Sequence, residues 1–259
     1  MSERLRGGDA RLPAVLAALL LLAGWALVAS RTSPLLLPGP LAVLRAGWTA
    51  REALMEATLH TGLSAVAGLA LATGLGVAGA VAFHLSRTLE LALYPYALLL
   101  QTLPIVAIAP LLVVWLDYGS PVAVASAALV AFFPVLTAGH LGLRAASAEQ
   151  VELFRLHGAT AWQELVLLRL PASLPTWFAG LRSAGGLAVI GAVVGEFVGS
   201  NGVPRSLGYQ VIYAARTAEP ALSFAAIGCA SALSLGLFVV VRLGERRFIG
   251  RWHAAGGDV

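Results

Sequence analysis

Residues 58–83 read TLHTGLSAVAGLALATGLGVAGAVAF and contain no Asp, Glu, Lys or Arg. A helix needs about 20 mostly apolar residues to cross the hydrocarbon core of a bilayer, so this stretch predicts a transmembrane helix. Outward from it, runs near 12–29, 90–115, 121–140, 175–198 and 222–243 are also mostly apolar. The expected fold is therefore an all-α polytopic membrane protein, with six transmembrane helices in a single domain over residues 1–259. In the third run, Pro104 and Pro110 predict a discontinuous helix, since each removes a backbone donor.

Composition agrees with lipid as the main solvent. Of the 259 residues, 59% are hydrophobic and 12% charged, the latter about half the share in soluble domains, and the mean hydropathy is +0.84. All 17 basic residues are Arg. The absence of Lys excludes a Walker A phosphate loop and a Schiff-base lysine, so any ATP used must be bound by another chain. The lone Cys229 permits neither an intrachain disulfide nor a cysteine-rich zinc site, and it reads as a small buried side chain. The net charge of +4 is spread between apolar blocks with no aromatic-interleaved basic face, so no nucleic-acid partner is expected.

Orientation follows from the arginines. With the N-terminus inside, Arg4, Arg6, Arg11, Arg87, Arg144, Arg155, Arg169, Arg182, Arg242, Arg246, Arg247 and Arg251 are cytoplasmic, against Arg31, Arg45, Arg51, Arg205 and Arg216 outside. The positive-inside rule then predicts both termini in the cytoplasm. Val28-Ala29-Ser30 has the small-residue character of a signal-peptide cleavage site, and cleavage there would leave five spans. The preceding apolar stretch is longer than the usual signal-peptide core of about 7 to 15 residues, which favours a span.

Residues 31–57 read as an outer loop followed by an interfacial helix carrying Trp48, Arg51, Glu52 and Glu56. The longest inner loop, 141–174, carries Glu149, Glu152, Arg155, Glu164 and Arg169. Ser147 with Gln150, and Thr160 with Gln163, have capping-box spacing, and Gly158 is a C-terminal cap candidate. Two short helices are expected around Gly158. The second is expected to end at Leu170-Pro171 and Pro175, where the chain turns back into the membrane. Val151, Leu153, Phe154, Leu156, Trp162, Leu165 and Leu167 give both helices apolar faces, as in an elbow packed under the membrane domain.

Inside the membrane, Gly191, Gly195 and Gly199 share one helix face, preceded by Gly185 and Gly186, while the second span carries Gly62, Gly68, Gly74, Gly76 and Gly79. Such faces predict close helix approach, within one subunit or at a dimer seam. Glu196 is a candidate pathway or gate residue, because a carboxylate in a span is costly unless paired, hydrated or lining a path; its alternative is interfacial water. Gln101 is a second pathway candidate, whereas Asp117 with Trp115 and Tyr118 marks a membrane boundary. His60, His84, His140, His157 and His253 lack metal-ligand spacing, and His84, His140 and His253 are expected to be solvated at cytoplasmic ends. No catalytic residue, metal or cofactor is implied.

The run Glu152-Leu153-Phe154-Arg155-Leu156-His157-Gly158, nine residues, then Leu168-Arg169-Leu170-Pro171 resembles the EAA loop of binding-protein-dependent ABC importer permeases. Leu153 and Phe154 stand where that pattern has two alanines, and Leu168 where it has Ile. The likeness is closest to the nitrate, sulfonate and taurine branch. Residues 101–111 from Gln101 through Pro104 and Pro110, Gly195-Glu196-Phe197, Ser206-Leu207-Gly208-Tyr209 and Glu245-Arg246-Arg247 also resemble it.

The resemblance implies a type I importer permease in the bacterial inner membrane, with 141–174 as its cytoplasmic coupling loop. Its implied partners are two ATPase subunits, a second permease copy, membrane lipid and an extracytoplasmic solute-binding protein. Glu149, Glu152, Phe154, His157, Gly158 and Thr160 would contact the ATPase, with Leu170 and Pro171 completing the motif. In such a permease the pathway candidates read from the residues, Gln101 and Glu196, together with Pro104, would line the path. The implied solute is a sulfonate-, taurine- or nitrate-like anion or a pyrimidine precursor. A secondary carrier would instead show inverted repeats with paired intramembrane charges, and a membrane enzyme a cluster of reactive groups. A structural scaffold would tolerate any change in residues 147–171.

Overall fold

The computed structural model describes residues 11–200 and 205–253, and every element among them is helical. In chain order these are α1 (Arg11–Arg31), α2 (Pro40–Thr49), α3 (Arg51–Leu85), α4 (Arg87–Thr102), α5 (Ile105–Leu116), α6 (Ser120–Gly142), α7 (Ala148–Leu156), α8 (Ala161–Glu164), a π-helical turn (Leu165–Arg169), α9 (Leu170–Gly199), α10 (Leu207–Arg216) and α11 (Pro220–His253). Of the arginines used for orientation, Arg4 and Arg6 lie outside the described residues.

Each expected span coincides with an apolar helix, so the number six holds approximately. Among the described residues, four helices are long and apolar enough to cross a bilayer alone: α3, α6, the continuous 161–199 helix and α11. The expected third span is α4 and α5, which meet at 103°. The break is local chemistry: Pro104 has no N–H to continue α4 and holds Leu103 in extended conformation (φ −72°, ψ 125°). The apolar part of α1, Val15–Arg31, is shorter than the other spans.

Two connections differ from expectation. Arg51, Glu52 and Glu56 belong to the 35-residue α3, because α2 ends at Thr49 and α3 starts two residues later. The chain also does not turn at Leu170-Pro171. A single helical path runs from Ala161 to Gly199, with Pro171 in the first turn of α9. The preceding turn is π-helical, with the Leu170 N–H donating to the Leu165 carbonyl. That wider turn makes room for a proline ring that would otherwise clash with the carbonyl four residues back.

At the centre lies α6, with 61% of its most apolar window buried against 6% for α11 at the rim. It packs against α3 and α9 through small side chains, among them Ala65, Ala72, Ala127, Ala131, Ala184, Ala188 and Ala192. With lipid outside, close van der Waals contact holds such helices together better than apolar burial does, and small residues permit it. Large apolar residues such as Leu20, Leu21, Val114 and Val240 stay on the exposed perimeter.

Candidate functional site

The elbow between α6 and α9 is fixed locally at every end. The Ser147 hydroxyl accepts from the Gln150 N–H at 3.3 Å while the Gln150 side chain accepts from the Ser147 N–H at 3.1 Å. Thr160 and Gln163 repeat the box at 3.2 and 2.8 Å. At the C-terminus of α7, Gly158 adopts φ +74°. Its N–H donates to the Arg155 carbonyl and the Ala159 N–H to the Phe154 carbonyl, both at 3.0 Å. This is a Schellman closure, and it needs a residue without a Cβ penalty in the left-handed region. The Ser147 hydroxyl and the backbone N–H of Glu149 hold the Glu149 carboxyl below the usual carboxylate range.

The elbow is anchored by a residue that spacing alone did not mark. Glu164 is buried, and its Oε1 accepts from Arg169 Nε at 2.7 Å, while Arg155 Nε lies 3.4 Å from Oε2. Arg169 also donates to the Leu143 carbonyl at 3.1 Å, tying the π-turn to the end of α6. Packing of the elbow's apolar faces differs from expectation. Of the seven apolar residues singled out, only Leu165 is buried, whereas Leu153 is 54% and Leu156 76% exposed. No residue of α7 is buried. Caps, not core contacts, hold this helix, so its faces stay open: Glu149, Glu152, His157, Gly158 and Thr160 are exposed and Phe154 half-buried. Leu170 is half-buried and Pro171 exposed.

At the same end of the bundle, His140 is buried, not solvated. It packs against Phe83 and Tyr94, and its Nε2 lies 3.3 Å from Glu90 Oε1. Glu90 also accepts both 2.8 and 2.9 Å bonds from Arg144 and pairs with Arg87 at 2.7 Å. The cluster fastens the start of α4 to the end of α6. A carboxylate opening an apolar run was the available signal for Glu90, but its partner lies 54 residues away.

At the far end of α9, about 40 Å from the elbow at 1.5 Å rise per residue, lies buried Glu196. Its Oε2 accepts from Thr61 Oγ1 at 2.9 Å and from the Gly208 N–H at 3.1 Å. Thr61 in turn accepts from the Leu207 N–H at 3.0 Å, and Ser206 from the Tyr209 N–H at 3.3 Å. The first three N–H groups of α10 are therefore capped by α3, by α9 and by Ser206. A carboxylate there is favoured by the positive end of the helix dipole. Gly208 lies so close that a Cβ would fall 2.6 Å from Glu196 Cβ. Beside the cap, a cavity of about 230 Å³ is lined by residues including His60, Ser120, Glu196 and Arg205.

Gln101 lines a different cavity, of about 280 Å³, with Phe133 and Leu187, and Pro104 caps the adjoining α5. The structure thus keeps Gln101 and Glu196 apart. Gly191, Gly195 and Gly199 face α6, where added Cβ atoms would fall 2.6 Å from the Ser126 carbonyl, 2.8 Å from Ala123 Cα and 3.0 Å from Val122 Cβ.

Residues 60–250 match the family model described as the binding-protein-dependent transport system inner membrane component. The chain belongs to that family. It is 36% identical over 227 residues, 87% of this chain and 91% of the relative, to a probable ABC transporter permease protein of Haemophilus influenzae. It is 37% identical over 177 residues, 68% of this chain and 70% of the relative, to the formylaminopyrimidine transport permease protein ThiX of Halalkalibacterium halodurans. Its fold resembles a chain of the MetNI methionine ABC transporter in an inward-facing conformation, with a TM-score of 0.50, 19% identity and 79% and 96% of the two chains covered.

As a permease subunit of an ABC importer, the protein is a membrane component and not an enzyme; the ATPase is a separate subunit. The family also implies a permease partner. The exposed α7 then lies just before the start of the continuous Ala161–Gly199 helix, and the capped Glu196 lies near the other end of that helix.

Proposed function

We propose that this permease moves a small nitrogen-bearing organic solute, delivered by a solute-binding protein, and works as two permease chains with two ATPase subunits. The elbow around α7 is the ATPase contact, made by Glu149, Glu152, Phe154, His157, Gly158 and Thr160, with Leu170 and Pro171 passing its movement into α9. The observation that carries this reading is that α7 is capped at both ends yet has no buried residue, and is joined by a short turn to the helix that runs through the 30-residue α9. A rigid element whose faces are open can be biased by a remote binding event.

Both termini lie in the cytoplasm in this reading, which the excess of arginines on the elbow side supports. Gln101, Pro104 and Glu196 line the path at two levels. For the solute, relatives are named for formylaminopyrimidine, riboflavin and taurine, all nitrogen-bearing, and for aliphatic sulfonates. A buried carboxylate lining the cavity beside the α10 cap opposes a bare anion such as nitrate, which favours the nitrogen-bearing organic set.

The test is co-purification of the chain with its ATPase and binding protein, followed by ATP-driven uptake of formylaminopyrimidine in proteoliposomes. Replacing Glu152 by Lys together with Gly158 by Val is expected to release the ATPase, or leave it hydrolysing ATP without uptake. Unchanged coupling in that double variant would remove the docking assignment.

A further inference from the structure

The α10 cap uses only one oxygen of Glu196. Oε2 is satisfied by Thr61 and Gly208, whereas among the described residues Oε1 is buried without a hydrogen-bond partner, as is His60 Nδ1, 3.7 Å away. The other ring nitrogen of His60 lies 3.2 Å from Ser120 Oγ, which orients the ring. A neutral imidazole that donates from Nε2 to Ser120 leaves Nδ1 as a bare acceptor facing Oε1. Two acceptors at that separation suit one amino group donating to both. The His60 side chain is 36% exposed and lines the cavity beside Oε1.

The rim of the same cavity carries the opposite polarity. Arg205 lines it, with its guanidinium 68% exposed and only loosely paired with Glu56 at 3.6 Å. An exposed pair at that distance is weak, so the fork is available to an anionic group. The cavity, about 230 Å³, is smaller than the sites that hold drug-sized ligands, which begin at about 300 Å³.

We propose that the cavity between Glu196, His60 and Arg205 is a binding site for a small zwitterion, whose amino group is held by Glu196 and His60 and whose acidic group is held by Arg205. It rests on the reading of the chain as a permease and adds a recognition step within the permease itself, after release from the binding protein. Carboxylate and guanidinium together cancel the charge of such a solute, whereas a simple anion or a simple cation meets one unmatched group.

The test is equilibrium binding of β-alanine to the full chain in lipid nanodiscs, compared with propionate, which lacks the amine, and propylamine, which lacks the acid. β-Alanine is expected to bind saturably and at least tenfold more tightly than either. His60→Ala and Arg205→Gln, which leave the α10 cap untouched, are each expected to weaken it at least fivefold. No β-alanine binding, propionate binding as tightly as β-alanine, or both variants binding like wild type would overturn the site. ATPase co-purification is scored separately. An ATPase that associates while β-alanine fails to bind sinks this site alone, and selective binding without any associated ATPase sinks the permease reading alone.

Discussion

Thr61 and Glu196 lie 135 residues apart and share one hydrogen bond, 2.9 Å from Oγ1 to Oε2, that closes the N-terminus of α10. Thr61 serves twice, donating to the carboxylate and accepting from the Leu207 N–H. Thr61→Val keeps the shape and removes both bonds, leaving a buried N–H and a less satisfied carboxylate. The expected cost is about 1–3 kcal/mol, read as a lower unfolding temperature in detergent. Thr61→Ser, which keeps the hydroxyl, should recover most of it. Equal stability of the Val and Ser variants would remove the cap from the account.

Gly158 separates conformational from steric cause. Nothing lies within 4 Å of a Cβ built there, so space does not exclude a side chain, but φ is +74°. Gly158→Asn should be tolerated, because Asn visits the left-handed region, while Gly158→Val should be strained by at least about 1–2 kcal/mol. The strain falls on α7, which has no buried residue to resist it. The expected result is normal insertion with reduced ATP-driven uptake for Val and near wild-type uptake for Asn, and loss of insertion in Val would contradict it.

Glu164 should matter more than its place in a loop suggests. Arg169, its closer partner, has a side chain only 14% exposed, whereas Arg155 is 69% exposed and contributes little. Glu164→Gln strands a half-enclosed guanidinium, and removing one partner of such a pair costs up to about 3–5 kcal/mol when burial is complete. Thermal unfolding should show a clear loss in Glu164→Gln and almost none in Arg155→Gln. Similar behaviour of the two variants would contradict the assignment.

What was legible in the sequence follows from the range of each interaction. Both capping boxes and the Gly158 turn depend on residues at most five apart, so Ser147, Gln150, Thr160 and Gln163 could be read directly. The spans were legible because the bilayer imposes a length. Not legible were the 103° angle between α4 and α5, the π-turn that carries the helix past Pro171, and the burial of His140 against Glu90. His140 depends on a partner on another helix, whereas at Pro104 and Pro171 the prolines were visible but residue identity alone sets neither the angle between α4 and α5 nor the choice of a π-helical turn. Glu196 was legible as costly, but its capping of α10 was not, because its partner Thr61 lies on another helix.

Glycine positions on two helices predict opposite outcomes for one substitution. At Gly191 a Cβ would fall 2.6 Å from the Ser126 carbonyl oxygen and 2.8 Å from Ala127 Cα, both backbone atoms of the central helix α6. Backbone inside a packed helix cannot step aside as a flexible side chain can, so Gly191→Ala must push α9 away from α6. Overpacking of this kind costs about 1–3 kcal/mol. At Gly74, on α3, nothing lies within 4 Å, so Gly74→Ala should be neutral or stabilise the helix by about 0.5–1 kcal/mol through lower backbone entropy in the unfolded chain. Parallel thermal unfolding of the two variants should show a clear loss for Gly191→Ala and none for Gly74→Ala. If Gly191→Ala is as stable as wild type, α6 and α9 are looser than the structure has them, and the rigid path from the elbow to Glu196 loses its support.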